Sequence, residues 1–311
     1  MITNKSYHVP VLLDASIEAL NLGDGGGNWM DATLGGGGHS RVIISKLNDE
    51  GRLFGFDQDP DAKKNSIEDS RFTLVEANFR YAKQFLNLNG VKNLDGMLAD
   101  LGVSSHQFDT AERGFSLRMD GPLDMRMNHS SGRSASELIE DSTWEELMVV
   151  LRMYGEVNRP DKLARTIKAA SDNSPIKTTH DLVKVLIKHA PSGRENKFYA
   201  QVFQALRIEV NDELGALREL LEQATLLLKP GGRLAIISYH SLEDRLVKHF
   251  MRSGNFEDKV EKDIKGQTLA PFSQVVRKAI VATPEEVLDN PRARSARLRI
   301  AERTTYTPEA C

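Results

Sequence analysis

The chain carries one cysteine in 311 residues, Cys311 at the last position. An intramolecular disulfide is therefore excluded, as are cysteine-based metal sites, and a reducing cytoplasm fits. No apolar run approaches the ~20 residues that a membrane-spanning helix needs. Met1 to Tyr7 is polar and lacks a signal-peptide core. The expectation is a cytoplasmic protein with no membrane partner. No cluster of His, Asp and Glu has metal-ligand spacing, so no metal is expected. A basic excess is missing too: 41 Lys and Arg stand against 44 Asp and Glu, a net charge of −3. A nucleic-acid partner would then need a local basic patch, not a basic protein. Hydrophobic residues make up 40% and charged residues 27%, the balance of a globular protein of one large domain or two ordinary ones.

What the chain does have is Met30-Asp31-Ala32-Thr33-Leu34-Gly35-Gly36-Gly37-Gly38-His39-Ser40. An apolar run ends at four consecutive glycines, and a helical pattern with Val42, Ile43, Ile44 and Leu47 follows. Strand, glycine turn and helix together bring free N–H groups to a place where a ligand can approach the backbone closely. Further strands read at Arg52–Asp57, Phe72–Glu76 and Leu94–Leu101, separated by helical patterns. That alternation predicts an α/β protein with a mostly parallel, Rossmann-like sheet and helices on both faces. It stops between His106 and Asn196, where only helices are legible. Strand character resumes at Arg233–Ser238, and Ala296–Ala301 alternates like a half-buried last strand. The predicted organisation is a first α/β part over 1–105, an inserted all-helical domain over 106–197 and a second α/β part over 198–311. Phe198 to Leu228 reads as one long helical stretch, interrupted near Gly215, and Asn255–Ala282 as the least legible part, with a mobile loop expected.

In open α/β sheets, ligands sit beyond the carboxyl ends of the strands. Asp31, Asp57, Asn78, Phe79 and Asp100 all fall there. Asp57 lies ~20 residues past the glycines, where an acid reaches a ribose diol; the plainer reading is a helix cap, a job that Asp59 does better. Phe79 is placed to bracket a flat purine, or to join the core. Asp100-Leu101-Gly102-Val103-Ser104-Ser105 is able to hold a polar substrate edge, or to be an ordinary turn. The glycines do not complete G-x-G-x-x-G, since Ser40 stands where Gly35 would need its third glycine and Val42 where Gly37 would. No Gly-Lys-Ser/Thr follows either, so a phosphate-binding P-loop fails. A ligand with adenine and ribose but no pyrophosphate fits better, and S-adenosylmethionine is one.

With these residues the chain resembles the RsmH (MraW) family, bacterial S-adenosylmethionine-dependent 16S ribosomal RNA cytosine-N4 methyltransferases. The matching stretches are His8-Val9-Pro10-Val11-Leu12-Leu13, Gly35 to Arg41, Phe56-Asp57-Gln58-Asp59-Pro60 and Asp100 to Ser105. Others are Glu112-Arg113-Gly114-Phe115-Ser116, Asp120 to Met127, Phe203 to Ile208, Ser238-Tyr239-His240-Ser241-Leu242-Glu243-Asp244-Arg245 and Asn290-Pro291-Arg292-Ala293-Arg294-Ser295. They run in order over nearly the whole chain. The resemblance implies a class I methyltransferase fold and a cofactor set of Gly36, Gly37, Gly38 and His39 with Asp57 on the ribose, Phe79 along the adenine, Asp100 and Gln107. It implies cytidine 1402 (ribosomal numbering), at the decoding centre of the small ribosomal subunit, as substrate. Two departures stand out: all four loop residues are glycine, which implies a looser loop, and His106 replaces the proline common before Gln107.

The N4 of cytosine is a poor nucleophile, because its lone pair is delocalised into the ring. It needs an acceptor for its proton, and Asp100 or a backbone carbonyl of the Asp100–Ser104 loop is the candidate, the carbonyl being favoured with Asp100 in support. RNA contacts are expected from Arg113 and Arg126 near the insertion, from His240, and from Arg292 and Arg294, with Arg297 and Arg299 extending the last patch. Lys184, Lys188, Arg194 and Lys197 form a further basic run. Every such run is equally a solvated face. Rival readings are a methyltransferase acting on a small molecule or a protein, and an RNA-binding module without catalysis. The sequence leaves room for a homodimer.

Overall fold

The computed structural model describes residues 10–307; His8, Val9 and Cys311 lie outside the described residues. These residues form two compact units, one running to Gly102 and resuming at Gly215, the other spanning Val103–Leu214. The first holds the whole sheet. Its strands are β1 (Gly27–Asp31), β2 (Gly51–Asp57), β3 (Phe72–Glu76), β4 (Leu94–Asp100), β5 (Leu228–Ser238), β6 (Phe272–Gln274), β7 (Ile280–Val281) and β8 (Arg297–Arg303). Their order is β3-β2-β1-β4-β5-β8-β6, with β7 also paired to β8. The five strands from β3 to β5 are parallel, and β8 runs antiparallel to its neighbours. This is the mostly parallel, Rossmann-like sheet that the alternating pattern predicts.

The strands read as apolar runs because both faces of the sheet are covered. Successive side chains alternate between two cores. Met30, Phe54, Met97 and Ile236 enter one, with Leu86, Leu220, Val247 and Phe250 from helices on that side. Trp29, Leu53, Leu98 and Ile237 enter the other, with Ile17, Leu20, Ile43 and Ile44 from the helices opposite. β1 is the switch point: β2 and β3 lie to one side of it, β4 and β5 to the other. The carboxyl ends of β1, β2 and β4 therefore flank one crevice.

The second unit has its own core, built from Leu123, Leu138, Leu151, Leu163, Leu182 and Leu206, among others. Within Trp144–Gly155 the buried positions are Leu147, Val150, Leu151 and Gly155, a single helical stripe. That helix starts one residue later than Ser142-Thr143-Trp144-Glu145 suggests: Thr143 and Glu146 make the reciprocal cap. The interruption expected near Gly215 falls at Asp212, which has φ 46 and separates Glu195–Asn211 from Glu213–Leu227. Asn211 accounts for it, since its side chain bonds Met125 O at 2.8 Å and the Met127 N–H at 2.7 Å. Glu195–Asn211 packs into the helical core through Phe198, Val202 and Leu206, so that unit runs past residue 197 to Leu214. The segment 255–282 contains β6 and β7, too short to leave a periodic trace in the sequence. Among the described residues no helix is long and apolar enough to cross a membrane.

Candidate active site

β1 delivers Asp31 to the crevice, and the chain then turns, the Gly37 N–H donating to Leu34 O at 2.7 Å. Gly37 has φ 75, a left-handed conformation that glycine takes without strain. A Cβ on Gly38 would collide with Pro10 Cγ, whereas a Cβ on Gly36 would meet nothing within 4 Å. The loop is not loose. Gly35 N–H donates to Asp57 Oδ2 at 2.7 Å, Asn65 Nδ2 donates to Gly35 O at 2.8 Å, and Arg41 Nη1 donates to Gly36 O at 2.7 Å. These three bonds do what loop side chains would otherwise do. The helix Gly38–Lys46 starts just beyond β1 and has no side-chain cap, so its first N–H groups lack a capping acceptor.

His39 is buried, and its Nε2 lies 3.2 Å from Val11 O. Asp31 is buried as well; it accepts from Ser40 Oγ at 2.6 Å and from the Thr33 N–H at 3.0 Å. Thr33 Oγ1 in turn accepts from the Asp100 N–H at 2.7 Å, tying the ends of β1 and β4 together. Thr33 and Ser40 are parts that sequence reasoning passed over, because a lone hydroxyl carries no motif.

Asp57 accepts from the N–H groups of Gly35 and Asp59. Burial pushes its carboxyl up to about 6, against those two bonds, which pull it down. Asp100 is likewise pushed up to about 6 by burial, opposed by the charge of His39 and by a hydrogen bond from Tyr239. That bond, Tyr239 OH to Asp100 Oδ1, is 2.7 Å long. Burial and then the Asp100 charge raise the Tyr239 phenol far above its ordinary range, so it remains a donor. Asp31, Asp57 and Asp100 thus converge at three adjacent strand ends, and among the described residues none has a Lys or Arg partner. Carboxylates desolvated without a cation favour a ligand that brings positive charge.

Phe79 begins a short 3-10 turn after β3 that Asn78 caps, and its half-buried ring packs against the core beneath. Asn78 Nδ2 reaches Gln58 Oε1 at 2.9 Å, bracing the turns after β2 and β3. Gln107 lies in the helical unit, buried, where its Oε1 accepts from the Ser104 N–H at 3.0 Å and completes a capping box. The Ser-x-x-Gln spacing was a cap signature in the sequence. His240 caps Ser241–Ser253: its Nδ1 accepts from the Glu243 N–H at 3.4 Å. Its Nε2 is buried and lies 3.2 Å from Glu243 Oε1, yet makes no hydrogen bond, because the approach is off-line. Glu243 Oε2 also accepts from the Tyr239 N–H at 2.9 Å, fixing the residue that holds Asp100.

The arginines divide. Arg113 is buried, and its Nη2 donates to the carbonyls of Arg126 and Met127 at 3.0 and 2.8 Å. It is a structural residue and not the exposed contact expected. Arg126 forms a two-pronged pair with Asp124 at 2.9 and 2.7 Å. In the last patch, Arg299 is buried against Asp244 at 2.6 and 3.1 Å, and Arg297 joins the same carboxylate at 3.1 Å. Burial alone would raise Asp244; the bonds and charge of Arg299 and Arg297 outweigh it and leave the carboxyl below its usual range. Arg292 is half-buried in the 3-10 turn Pro291–Ser295, while Arg294 beside it is exposed. Of that patch, Arg294 and Arg297 are exposed, and Arg294 has no ion pair among the described residues.

The MraW methylase family matches residues 5–304 of this chain. A Cytophaga hutchinsonii protein named ribosomal RNA small subunit methyltransferase H is 54% identical over 299 residues, 96% of this chain and 99% of the other. One of the same name from Amoebophilus asiaticus is 51% identical over 303 residues, 97% of each chain. Another, from Parabacteroides distasonis, is 52% identical over 298 residues, 96% of this chain and 97% of the other. With such coverage from end to end, the chain belongs to the MraW methylase family.

Proposed function

We propose that the chain transfers a methyl group from S-adenosylmethionine to the N4 of a cytidine in 16S ribosomal RNA, cytidine 1402 in ribosomal numbering, in the small subunit. The observation that carries this reading is the state of Asp100. It stands at the end of β4, desolvated, with Oδ1 held by Tyr239 and Oδ2 without a partner among the described residues. A carboxylate poised near 6 is suited to take a proton at neutral pH.

The residues fit the cofactor. Gly36 leaves open space where a side chain would project, and three carboxylates have no Lys or Arg partner among the described residues. In this reading Gly36, Gly37, Gly38 and His39 line the methionine and ribose end, Asp57 accepts the ribose hydroxyls, and Phe79 lies along the adenine. Bound there, S-adenosylmethionine supplies a methyl on a positively charged sulfur. The cytosine N4 forms the new bond to carbon while the carbon–sulfur pair returns to sulfur. Asp100 Oδ2 accepts the N4 proton, which keeps the nitrogen lone pair available. Alignment of the reacting atoms supplies much of the rate, and the base must leave its stack to reach the site.

The test is incubation of the purified chain with labelled S-adenosylmethionine and small subunits or naked 16S RNA, then digestion to nucleosides. Labelled N4-methylcytidine is expected. Label in protein or in small molecules only, or in no product, overturns the reading.

A further inference from the structure

Within the helical unit, a cleft of about 490 Å³ is lined by Arg159, Lys162, Leu163, Lys188, His189 and Phe198. Three elements build it. Arg159 has φ 53 and begins the helix Pro160–Asn173, which has no side-chain cap. Lys162 stands on the first turn of that helix, and Lys188 and His189 come from the 3-10 turn Ile187–His189. Leu163 and Phe198 are buried and form the apolar floor. His189 Nε2 lies 2.9 Å from Thr166 Oγ1; burial, then the charge of Lys162, holds its imidazole below the usual range.

Some cations of this unit are neutralised within it. Arg126, Lys168, Lys184 and Arg207 each have a carboxylate partner. Arg159, Lys162 and Lys188 are exposed, converge on the cleft, and have no ion pair among the described residues. No carboxylate lines the cleft, and Asp161, the acid of that first turn, is exposed outside it. Three like charges brought together repel one another unless an anion compensates them. The concave shape concentrates their field, and the uncapped helix start adds to it.

We propose that this cleft seats a phosphodiester of the RNA backbone, a second contact for the substrate apart from the methyl-transfer site. The proposal rests on the RNA reading above, but it names a contact that positions without reading sequence. Phosphate contacts by lysine and arginine displace condensed counterions, so they are visible in the salt dependence of binding.

The experiment measures binding of fluorescein-labelled small-subunit ribosomal RNA to the full chain by anisotropy, without cofactor, across a salt series. The R159Q/K162Q/K188Q variant is compared with wild type and with K92Q/K248Q/K278Q, which removes three exposed charges elsewhere. The cleft variant is expected to bind at least about tenfold more weakly, with the slope of log affinity against log salt reduced by about 1, and with S-adenosylmethionine affinity unchanged. A slope change no larger than that of the control variant overturns the proposal. Inorganic phosphate binding lost in the cleft variant while RNA binding is untouched also overturns it, in favour of a small-anion site. No methylation is measured in this assay, so its failure is distinguishable from failure of the proposed reaction.

Discussion

The phenol of Tyr239 donates to Asp100 Oδ1 at 2.7 Å, joining the chain just beyond β5 to the last residue of β4. The bond orients the carboxyl and, as a hydrogen bond to the charged form, lowers its pKa against the effect of burial. Removing it in Y239F leaves burial less opposed. With Asp100 as the proposed proton acceptor, the acid limb of kcat/KM should lie near 6 in wild type and move up by about one unit in the variant. The KM for S-adenosylmethionine should change little. A uniform loss at every pH, with the limb in place, would mean that Tyr239 only props up the fold.

Asp57 and Asp100 also govern stability. Both are raised in the folded chain from 3.8 to about 6, so folding binds their protons more tightly. Their contribution is fully present below the unfolded value near 4 and is lost as pH rises through about 6. Thermal melts of ligand-free wild type and D100N between pH 4 and 8 check this. The variant should gain on wild type as pH rises, because asparagine cannot ionise. A difference independent of pH would show that burial costs this carboxylate nothing.

The glycine loop offers a contrast between two neighbours. G38A places a methyl on Pro10 Cγ and should lower both stability and cofactor affinity. G36A has nothing within 4 Å and should fold as wild type, within about 0.5 kcal/mol. If Gly36 faces the cofactor, G36A still loses affinity, read by calorimetry with S-adenosylmethionine. Full affinity in a well-folded G36A would move the ligand away from that face.

Arg299 separates a structural arginine from an RNA contact. Its partner Asp244 is buried with it but keeps Arg297 at 3.1 Å, so R299A should destabilise the fold by about 1.5–3 kcal/mol. R294A touches no such pair and should leave thermal stability unchanged while weakening RNA binding. Denaturant midpoints for the two variants, beside RNA titrations, give the comparison. Equal midpoints would contradict the assignment of Arg299.

The sheet was legible because its strands are apolar runs that end on acids beside glycine turns. Asp31, Asp57 and Asp100 do stand at adjacent strand ends, as position in the pattern implies. What escaped the sequence was direction and partnership. Arg113, Arg126 and Arg299 look like phosphate contacts in one dimension, yet Arg113 is claimed by carbonyls of the 126–127 segment, Arg126 by Asp124 two residues before it and Arg299 by the remote Asp244. His240 and Gln107, expected as ligand contacts, also serve as helix caps, a role the sequence reading did not assign them. β6 and β7 span three and two residues, too few for any periodicity to register. The break at Asp212 depends on Asn211 reaching Met125, a contact that no local propensity encodes.

The most direct test of the central claim is a single-turnover reaction with saturating S-adenosylmethionine and small subunits, read as N4-methylcytidine formed, for wild type and D100N. Wild type should convert one cytidine per RNA, and D100N should be slower by about 10²–10⁴-fold with cofactor binding retained. Equal rates for the two enzymes, or methyl groups appearing on a different nucleoside, would contradict the account.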